Sequence, residues 1–370
     1  MANSFYNLQT MAREALPTLT DNLVFPGLMH RNYMDEAHDM GDTIRVRKPV
    51  VLTAQEFNAA SGVSYQDMNE DTVPVTLNHL ATVDVKASAV ETATTMDDLN
   101  RVFIRPACAA LAEKINRDAM EMYKDVYNIV GTAGVTPGTL ASLAAVRKAM
   151  NTNRVPSMGR VAVWDAEADC ALMQIPAIVN AEKSGDTAAL REGSIGRVFG
   201  MDNFMCQAVI KHKTALTASG AKLGAATAAG DTTLALAGTS LSGHLVHGDL
   251  LTISGKTYTV TEDTEDAVNN AIGVVKVAPA LPALAANTEV TPIGDHTANL
   301  AFHPDAFAIV MRPLLNPNGQ GVESYVTSHN GISMRVTNGY DQRYKNSVYS
   351  MDVLYGFKCV YPELAVRVLG

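Results

Sequence analysis

MDDLNRVFIRPACAALAEKINRDAMEMYKDVYNIV, residues 96–130, is the longest stretch of the chain with a sustained helical pattern. Its apolar residues recur every three or four positions, so they share one face of a helix. That stripe consists of Ile104, Cys108, Leu111, Ile115, Met122, Val126 and Ile129. The opposite face carries Glu113, Asn116, Arg117, Glu121 and Lys124. Pro106 suits a first turn and Gly131 a C-terminus, so the pattern predicts a helix from Pro106 to Val130, about 37 Å long at 1.5 Å per residue.

A helix of this length fits two architectures. It is either the core helix of a large domain or a stiff span whose ends reach neighbouring subunits. The apolar pattern alone favours the first, because a buried stripe requires only packing within the same chain.

The composition of the chain sets limits on its function. Its 370 residues allow two or three domains. A net charge of -9 argues against tight nucleic-acid binding, which needs clustered Lys and Arg, but it permits a wall that encloses DNA without gripping it. Charged residues make up only 18%, which suits a protein that covers its surface with copies of itself and also suits many soluble enzymes.

The cysteines and the hydropathy pattern exclude several classes of protein. Cys108, Cys170, Cys206 and Cys359 are far apart and form no CxxC pair, so we expect four buried free thiols rather than a disulfide framework or a zinc site. No stretch is apolar over the about 18 residues of a membrane span, and the N-terminus lacks a signal-peptide pattern. We therefore expect a soluble chain with no cofactor, no metal and no membrane partner.

Residues 1–40 have the character of an arm. One short helix is predicted from Thr10 to Leu16, ended by Pro17. The apolar patch Leu23–Phe25 has no partner nearby in sequence, so it must dock either on the body of this chain or on a neighbouring copy.

Residues 41–95 predict an extended β-hairpin. DTIRVRKPVV (residues 42–51) and VPVTLNHLATVDVKASAV (residues 73–90) alternate apolar and polar positions, as strands with one polar face do. The strand end is basic and the loop at the tip is acidic, which favours head-to-tail contact between copies; ordinary surface charges on a solvated hairpin also fit. The candidate inter-subunit contacts are Arg45, Arg47, Lys48, Glu56, Asp67, Glu70 and Asp71.

Four segments in this order carry a family resemblance. They are MANSFYNLQTMAREALPTLTDNLVFPGLMHRNY (residues 1–33), GDTIRVRKP (41–49), DMNEDTVPVTLNHL (67–80) and TMDDLNRVFIRPACAALAEKI (95–115). Together they resemble the major capsid (coat) protein of tailed bacteriophages, in the subclass with an inserted domain. The resemblance implies an α+β fold with an N-terminal arm (1–40), an extended loop (41–95), a peripheral domain built on a long spine helix (96–134) and an axial domain.

Residues 135–212 alternate helix and strand and match the first part of the axial domain. We expect a helix capped by Thr139, a buried strand RVAVW (160–164), a helix capped by Asp165 and a strand FMCQAVI (204–210). The spacing of Gly193, Gly196 and Gly200 fits no phosphate-binding pattern, so no site is assigned there.

Residues 213–296 differ from both flanks, being rich in Ala, Thr and Gly with several short strands and turn signals. Ser254, Gly255 and Lys256 predict a tight turn between two of these strands. The pattern predicts a small β-barrel or sandwich, and its position matches the inserted domain of the coat family. The flanking segments could pair with each other once the insert is removed. Residues 297–329 then return to the axial domain, and residues 330–370 supply C-terminal strands.

No catalytic motif of the GxSxG, HExxH, Walker or kinase type is present. Triad residues need not be close in sequence, so an oligomeric α/β enzyme stays an alternative. The resemblance implies instead a virion protein without catalysis, assembled in the host cytoplasm into the pentamers and hexamers of an icosahedral shell around double-stranded DNA. It also implies a scaffolding protein, a portal and decoration proteins as partners. A cellular protein nanocompartment of the same fold is the second alternative.

Overall fold

The computed structural model describes residues 8–30, 43–48, 54, 71–88, 104–180, 188–316, 322–329, 331–344 and 346–370. The chain divides into two compact units, and the statements below apply to the described residues of each. The first unit comprises Met1–Leu16, Arg31–Asp97 and Ala308–Val360; the second comprises Pro17–His30, Asp98–Phe307 and Tyr361–Gly370.

The described helices are α1 (Leu8–Asn22), α2 (Arg105–Met120), α3 (Leu140–Thr152), α4 (Ala166–Met173), α5 (Pro176–Val179) and α6 (Ala188–Glu192). The described strands are β1 (Thr43–Lys48), β2 (Asp71–Thr76), β3 (His79–Ser88), β4 (Ile129–Val130), β5 (Arg160–Trp164), β6 (Arg197–Val198), β7 (Met201–Met205), β8 (Lys211–His212), β9 (Thr217–Ser219), β10 (Lys222–Leu223), β11 (Thr233–Ala237), β12 (Ser240–Ser242), β13 (Leu250–Ile253), β14 (Lys256–Val260), β15 (Ala271–Ala278), β16 (Val290–Pro292), β17 (His296–Phe302), β18 (Phe307–Arg312), β19 (Val322–His329), β20 (Ile332–Asp341), β21 (Asn346–Cys359) and β22 (Ala365–Leu369).

In the first unit, β21 is the central strand of a five-stranded sheet. It pairs antiparallel with β3 and β20 over long registers and also pairs with β18, while β19 extends the sheet beyond β20. Val336, Met351, Val353 and Tyr355 lie on one face of the sheet and are buried. The alternation of apolar and polar residues along these strands therefore produces one packed face, as period-two patterning requires.

The second strand predicted for the hairpin is interrupted. The sequence predicted one run over residues 73–90, but β2 ends at Thr76 and pairs with β1, whereas β3 begins at His79 and pairs with β21. The chain crosses β21 at this break, where a Cβ added to Gly356 would lie only 2.2 Å from the Thr76 carbonyl oxygen. A glycine at this position permits the close crossing that separates the two strands.

The helix that was predicted from Pro106 to Val130 is shorter. α2 ends at Met120 and spans about 24 Å, followed by a 3-10 turn over Glu121–Asp125 and the strand β4. The carbonyl of Tyr123 accepts a hydrogen bond from Arg367, and that of Lys124 accepts one from the Thr259 hydroxyl at 2.7 Å. These distant partners compete for carbonyls that would otherwise bond along a continuing α-helix.

Pro17 does not end the first helix, contrary to the expectation from sequence. α1 runs through it from Leu8 to Asn22. A proline inside a helix costs about 3 kcal/mol. Leu16 and Leu19 on either side are buried, and burial of one leucine contributes about 1.5–3 kcal/mol. The packed leucines therefore offset the proline, whose own ring is exposed.

The main sheet of the second unit has the strand order β4-β22-β17-β5-β7-β6. α3 and α4 pack against it, with their N-termini capped by Thr139 and Asp165 as the sequence predicted. β5 is buried throughout, again as predicted. Of the four cysteines, Cys170 on α4 is exposed rather than buried.

The strand predicted at residues 204–210 ends early. β7 runs from Met201 to Met205 and pairs in parallel with β5. β5 itself stops at Trp164, because Asp165 begins α4. The Cys206 amide donates to the Trp164 carbonyl at 2.9 Å, and beyond that residue β7 has no partner strand on this side, so the chain turns away.

The strands between residues 222 and 292 close into a small barrel. Their order is β10-β11-β15-β14-β13-β16, and the two edges join through an antiparallel bridge between Lys222 and Glu289. The Leu223 amide donates to the Thr288 carbonyl across this seam at 2.9 Å. Ser254 and Gly255, with φ of +49° and +76°, form the tight turn between β13 and β14 that the sequence predicted.

The barrel has its own hydrophobic core. Sixteen buried residues contribute, and all of them lie between residues 213 and 296: Leu216, Ala221, Leu223, Leu234, Leu236, Leu241, Leu245, Leu251, Ile253, Tyr258, Val260, Ile272, Val275, Val277, Leu281 and Val290. The chain enters and leaves the barrel side by side, because β8 pairs antiparallel with the start of β17. His212 lies opposite His296, and the Ala298 amide donates to the Ile210 carbonyl at 3.0 Å.

We expect residues 213–296, expressed alone, to fold. A closed sheet, a separate core and adjacent ends are what a small independent domain requires. The measurement is an NMR amide spectrum with thermal unfolding followed by circular dichroism. Dispersed signals and a cooperative transition are expected; a collapsed, non-cooperative fragment would contradict the domain boundary.

Candidate functional site

The candidate contact residues of the hairpin lie partly within the described structure. β1 and β2 pair antiparallel, with Arg45 opposite Pro74, Arg47 opposite Thr72 and Lys48 opposite Asp71. Arg45 is exposed, whereas Val46 and Val75 are buried, so the hairpin has one packed face and one polar face. Glu56, Asp67 and Glu70 lie outside the described residues.

The pairing of β1 with β2 places one acidic residue of this hairpin differently from the sequence prediction. From sequence we expected basic residues at the strand end and acidic residues at the tip. Asp71 instead lies directly across from Lys48 on the neighbouring strand. The backbone register therefore places Asp71 at the same end of the hairpin as Lys48.

The apolar stripe of the central stretch is buried. Ile104, Leu111 and Ile115 face inward on or at the start of α2, and Met122 and Val126 do so beyond its end.

Asn116 is the exception on the face that the sequence analysis took to be polar, because its side chain is buried. It accepts a hydrogen bond from the Phe25 amide at 3.3 Å and donates to the Asn22 carbonyl at 3.0 Å. The rest of that face is more open: Glu113, Arg117 and Glu121 are exposed and Lys124 is half-buried.

A cluster of polar side chains is buried where the barrel meets the rest of the second unit. Arg367, in the middle of β22, is fully buried. Its guanidinium donates to the Gly248 carbonyl at 2.8 Å and to the Tyr123 carbonyl, and its central carbon lies 4.8 Å from the centre of the Tyr123 ring. One side chain thus connects the barrel, the 3-10 turn after α2 and the last strand. We call this group, Tyr123, His212, Asp249, His296 and Arg367, the joint cluster.

A hydroxyl–imidazole–carboxylate chain runs through the joint cluster. The Tyr123 hydroxyl lies 2.8 Å from His212 Nδ1, and His212 Nε2 lies 2.8 Å from Asp249 Oδ1. An ionised carboxylate can only accept, so His212 carries a proton on Nε2 and donates it to Asp249. The second carboxylate oxygen of Asp249 accepts from the Val246 amide at 2.8 Å. Asp249 is therefore held by one bond from outside the barrel and one from within it.

His296 faces the guanidinium of Arg367. Its Nδ1 lies 2.8 Å from the Gly294 carbonyl oxygen, which can only accept, so Nδ1 carries the proton. Its Nε2 lies 3.3 Å from Arg367 Nη1, which can only donate, so Nε2 is the unprotonated nitrogen. The hydrogen bonds therefore fix His296 as a neutral imidazole with one defined tautomer.

Burial shifts the pKa values of His296, Arg367 and Tyr123 in the direction of their neutral forms. Desolvation lowers the pKa of His296 to about 4, with the charge of Arg367 adding to the effect. Desolvation also lowers the pKa of Arg367 to about 10 and raises that of Tyr123 to about 12. At neutral pH the arginine stays charged and the phenol stays protonated, so the phenol hydroxyl can donate to His212.

The joint cluster is built to hold structure rather than to act on a substrate. Tyr123, His212 and Asp249 are 2%, 4% and 1% exposed, so no substrate reaches the triad-like chain. A surface groove of about 590 Å³ lies elsewhere, lined mainly by apolar residues such as Leu140, Ile178 and Phe199, with Ser194 and Arg197 as polar groups. Neither arrangement combines an accessible nucleophile with a base, as covalent catalysis requires.

Metal and membrane sites do not arise in the part of the chain that the structure describes. No group of three or more His, Cys, Asp or Glu side chains is placed to hold a metal ion there. Within the same residues, no helix is both long and apolar enough to cross a membrane.

Sequence reasoning did not assign any residue of the joint cluster. Its members are separated by up to 244 positions, so no local motif connects them. One signal was available: Arg367 interrupts the otherwise apolar run AVRVL, and a charged residue within a buried strand needs partners.

Comparison with known proteins identifies the fold. No protein-family model and no curated protein matches the chain. A solved structure of Mycobacterium phage Che8 superposes with a TM-score of 0.55 at 18% identity, covering 94% of this chain and 90% of that one. The capsid structure of cyanophage P-SCSP1u superposes with a TM-score of 0.50 at 12% identity, covering 89% and 84%. The chain therefore has the fold of the phage capsid subunit, which confirms at the level of fold the resemblance to the tailed-phage major capsid proteins.

Proposed function

We propose that this chain is a major capsid protein whose copies assemble into the icosahedral shell that encloses phage double-stranded DNA. The observation that carries the proposal is the likeness to phage capsid structures along almost the whole chain, 94% for the Che8 structure. Two independent features support it: the ordered sequence segments between residues 1 and 115, and a polar cluster that holds domains together instead of forming an open active site.

We propose for the subunit the order of parts that the coat-protein resemblance implies. The barrel has paired entry and exit strands and its own core, which supports its role as an inserted domain. The proposed parts are an arm (1–40), an extended loop (41–95), the spine-helix region (96–134), an axial domain (135–212 and 297–329), the inserted domain (213–296) and C-terminal strands (330–370).

The acidic balance of the chain bears on its contact with DNA. A net charge of -9 disfavours binding to phosphate, so we propose only weak, non-specific contact between the shell and the packaged DNA. The protein belongs in the virion, after assembly in the host cytoplasm into pentamers and hexamers with a scaffolding protein, a portal and decoration proteins. The mechanism is contact geometry between copies rather than catalysis.

Two other functions are separable from this one by electron microscopy. A cellular nanocompartment subunit would form closed shells around protein cargo, and an oligomeric enzyme would form small assemblies. We expect particles isolated from the producing cells, identified by mass spectrometry of this chain, to be closed shells that contain nuclease-protected double-stranded DNA. Cargo-filled shells or small oligomers would each overturn the proposal.

Reversing the basic charges of β1 should block assembly without unfolding the subunit. We expect the triple variant Arg45→Glu, Arg47→Glu and Lys48→Glu to give a folded monomer that forms few or no normal shells, because it reverses the basic charge of β1, where Arg45 is exposed and copies can contact it. Sedimentation measures the yield of shells, and circular dichroism checks the fold.

A matched triple variant controls for net charge. Lys148, Arg154 and Lys256 are exposed basic residues outside the hairpin, and reversing all three changes the charge by the same amount. Shell formation should survive in this control. Normal shells from the β1 variant would remove the hairpin from the assembly contacts.

A further inference from the structure

The barrel is attached to its surroundings through a small number of buried polar contacts. The barrel side contributes the Gly248 carbonyl, Asp249 and the Thr259 hydroxyl. The part of the second unit outside the barrel contributes Arg367 from β22, His212 from β8, and the carbonyl groups of the 3-10 turn. Because the hydrophobic core of the barrel is separate, these polar contacts hold the two parts in a fixed arrangement.

A second proton on His296 would turn an attractive contact into a repulsive one. A proton on its Nε2 would point at Arg367 Nη1, so a hydrogen bond of 3.3 Å would become a contact between two donors and two positive charges.

The charged and titratable groups around His296 do not cancel this repulsion. Each neighbouring element contributes at least one: Arg367 from β22, His212 and Lys211 from β8, Tyr123, Lys124 and Asp125 from the 3-10 turn, and Asp249 and His247 from the barrel. Asp249 is the nearest buried carboxylate, but it is already bonded to His212 and to the Val246 amide. Asp125 bonds His247 at 3.2 Å, so it too is engaged.

We propose that the contact between His296 and Arg367 is an acid-sensitive latch, which holds the barrel in place while His296 is neutral and releases it when His296 is protonated, before either hydrophobic core unfolds. The proton comes from solvent and binds Nε2 as the contact opens.

The pH window follows from the two states of His296. Its pKa is about 4 when buried and 6.5 when released, so the released state binds the proton more strongly. Above about pH 6.5, protonation of His296 therefore does not contribute to opening. As the pH falls from 6.5 towards 4, protonation increases the equilibrium constant for opening, and below pH 4 it increases that constant no further. At about pH 4.5 the equilibrium constant for opening should be about 60-fold larger than at pH 7.

Hydrogen–deuterium exchange on the unassembled full-length subunit tests the latch. The reporters, called the joint amides, lie on the strands that carry the contact: the Ala298 amide of β17, which donates to the Ile210 carbonyl beside β8, and the Arg367 amide of β22, which donates to the Asn128 carbonyl. After correction for intrinsic exchange, their protection should fall by up to about 60-fold between pH 7 and 4.5. Amides of β13 in the barrel core and of β5 in the main sheet should lose much less.

Two variants make the test specific. His296→Gln retains a donor for Gly294 and an acceptor for Arg367 but does not titrate, so its joint amides should change less than about 5-fold over this range. His244→Gln removes an exposed barrel histidine, paired with Asp266, and should keep the full wild-type response.

The outcome is decisive even if the glutamine variant fails to fold. In the wild-type protein, joint amides that lose protection only in step with β13 and β5 would overturn the latch. An equal pH response in folded His296→Gln and in the wild type would overturn it as well.

Discussion

Replacing Arg367 with alanine should lower the free energy of unfolding of the subunit by about 3–5 kcal/mol, among the largest effects expected from a single substitution in this chain. The side chain is fully buried, and it satisfies the Gly248 and Tyr123 carbonyls together with His296 Nε2. Alanine would leave the Gly248 carbonyl and His296 Nε2 without this donor, the Tyr123 carbonyl with only the Val126 amide at 3.1 Å, and Asp249 without a nearby positive charge. Removing one member of a buried polar network costs more than the net value of the network, because the remaining groups stay desolvated.

Urea unfolding followed by the fluorescence of Trp164 measures this effect. Trp164 is the only tryptophan, and it is buried in the main sheet, where its indole N–H donates to Asn203 at 2.9 Å. Arg117→Ala, at an exposed position on α2, should cost within about 0.5 kcal/mol and serves as the control. Arg367→Lys keeps the charge but cannot reach several acceptors at once, so we expect partial loss. Equal unfolding midpoints for Arg367→Ala and the control would show that the joint cluster does not contribute to stability.

Local sequence signals predicted the elements that depend on local interactions. The caps Thr139 and Asp165 were identifiable because a cap bonds an amide three residues away. The turn at Ser254 and Gly255 was identifiable because few residue types accept positive φ. Strand β5 was identifiable from an apolar run. In each case the determining partner lies within a few positions in the sequence.

The errors arise where a distant residue determines the local structure. Hydrogen bonds from Arg367 and Thr259 occupy the Tyr123 and Lys124 carbonyls, so no α-helix continues past the 3-10 turn, and no reading of residues 96–130 could include these partners. The end of β7 depends on where its partner β5 stops. The interruption between β2 and β3 depends on a crossing at Gly356. The joint cluster could not be predicted for the same reason, since it is formed entirely by residues from separate segments.

Truncating Leu111 to alanine should lower the free energy of unfolding by about 2–5 kcal/mol. Leu111 lies at the middle of the buried stripe of α2 and is 1% exposed. The loss combines the transfer free energy of the removed methyl groups with the cavity that they leave, and a rigid helix inside a packed core can close little of that cavity. The range is wide because the cost depends on how far the neighbouring side chains relax.

Glu121→Ala separates burial from any other effect of changing this stretch. Glu121 is exposed and forms a surface ion pair with Lys124 at 3.0 Å, a contact worth about 0–1 kcal/mol. In the unassembled subunit, urea unfolding should therefore distinguish the two variants by at least about 1 kcal/mol, with Leu111→Ala the less stable. Similar losses would refute the assignment of the two faces. If Glu121→Ala is as stable as the wild type but forms fewer shells, that face contacts a neighbouring copy, and the stretch then acts as a span between subunits as well as a core helix.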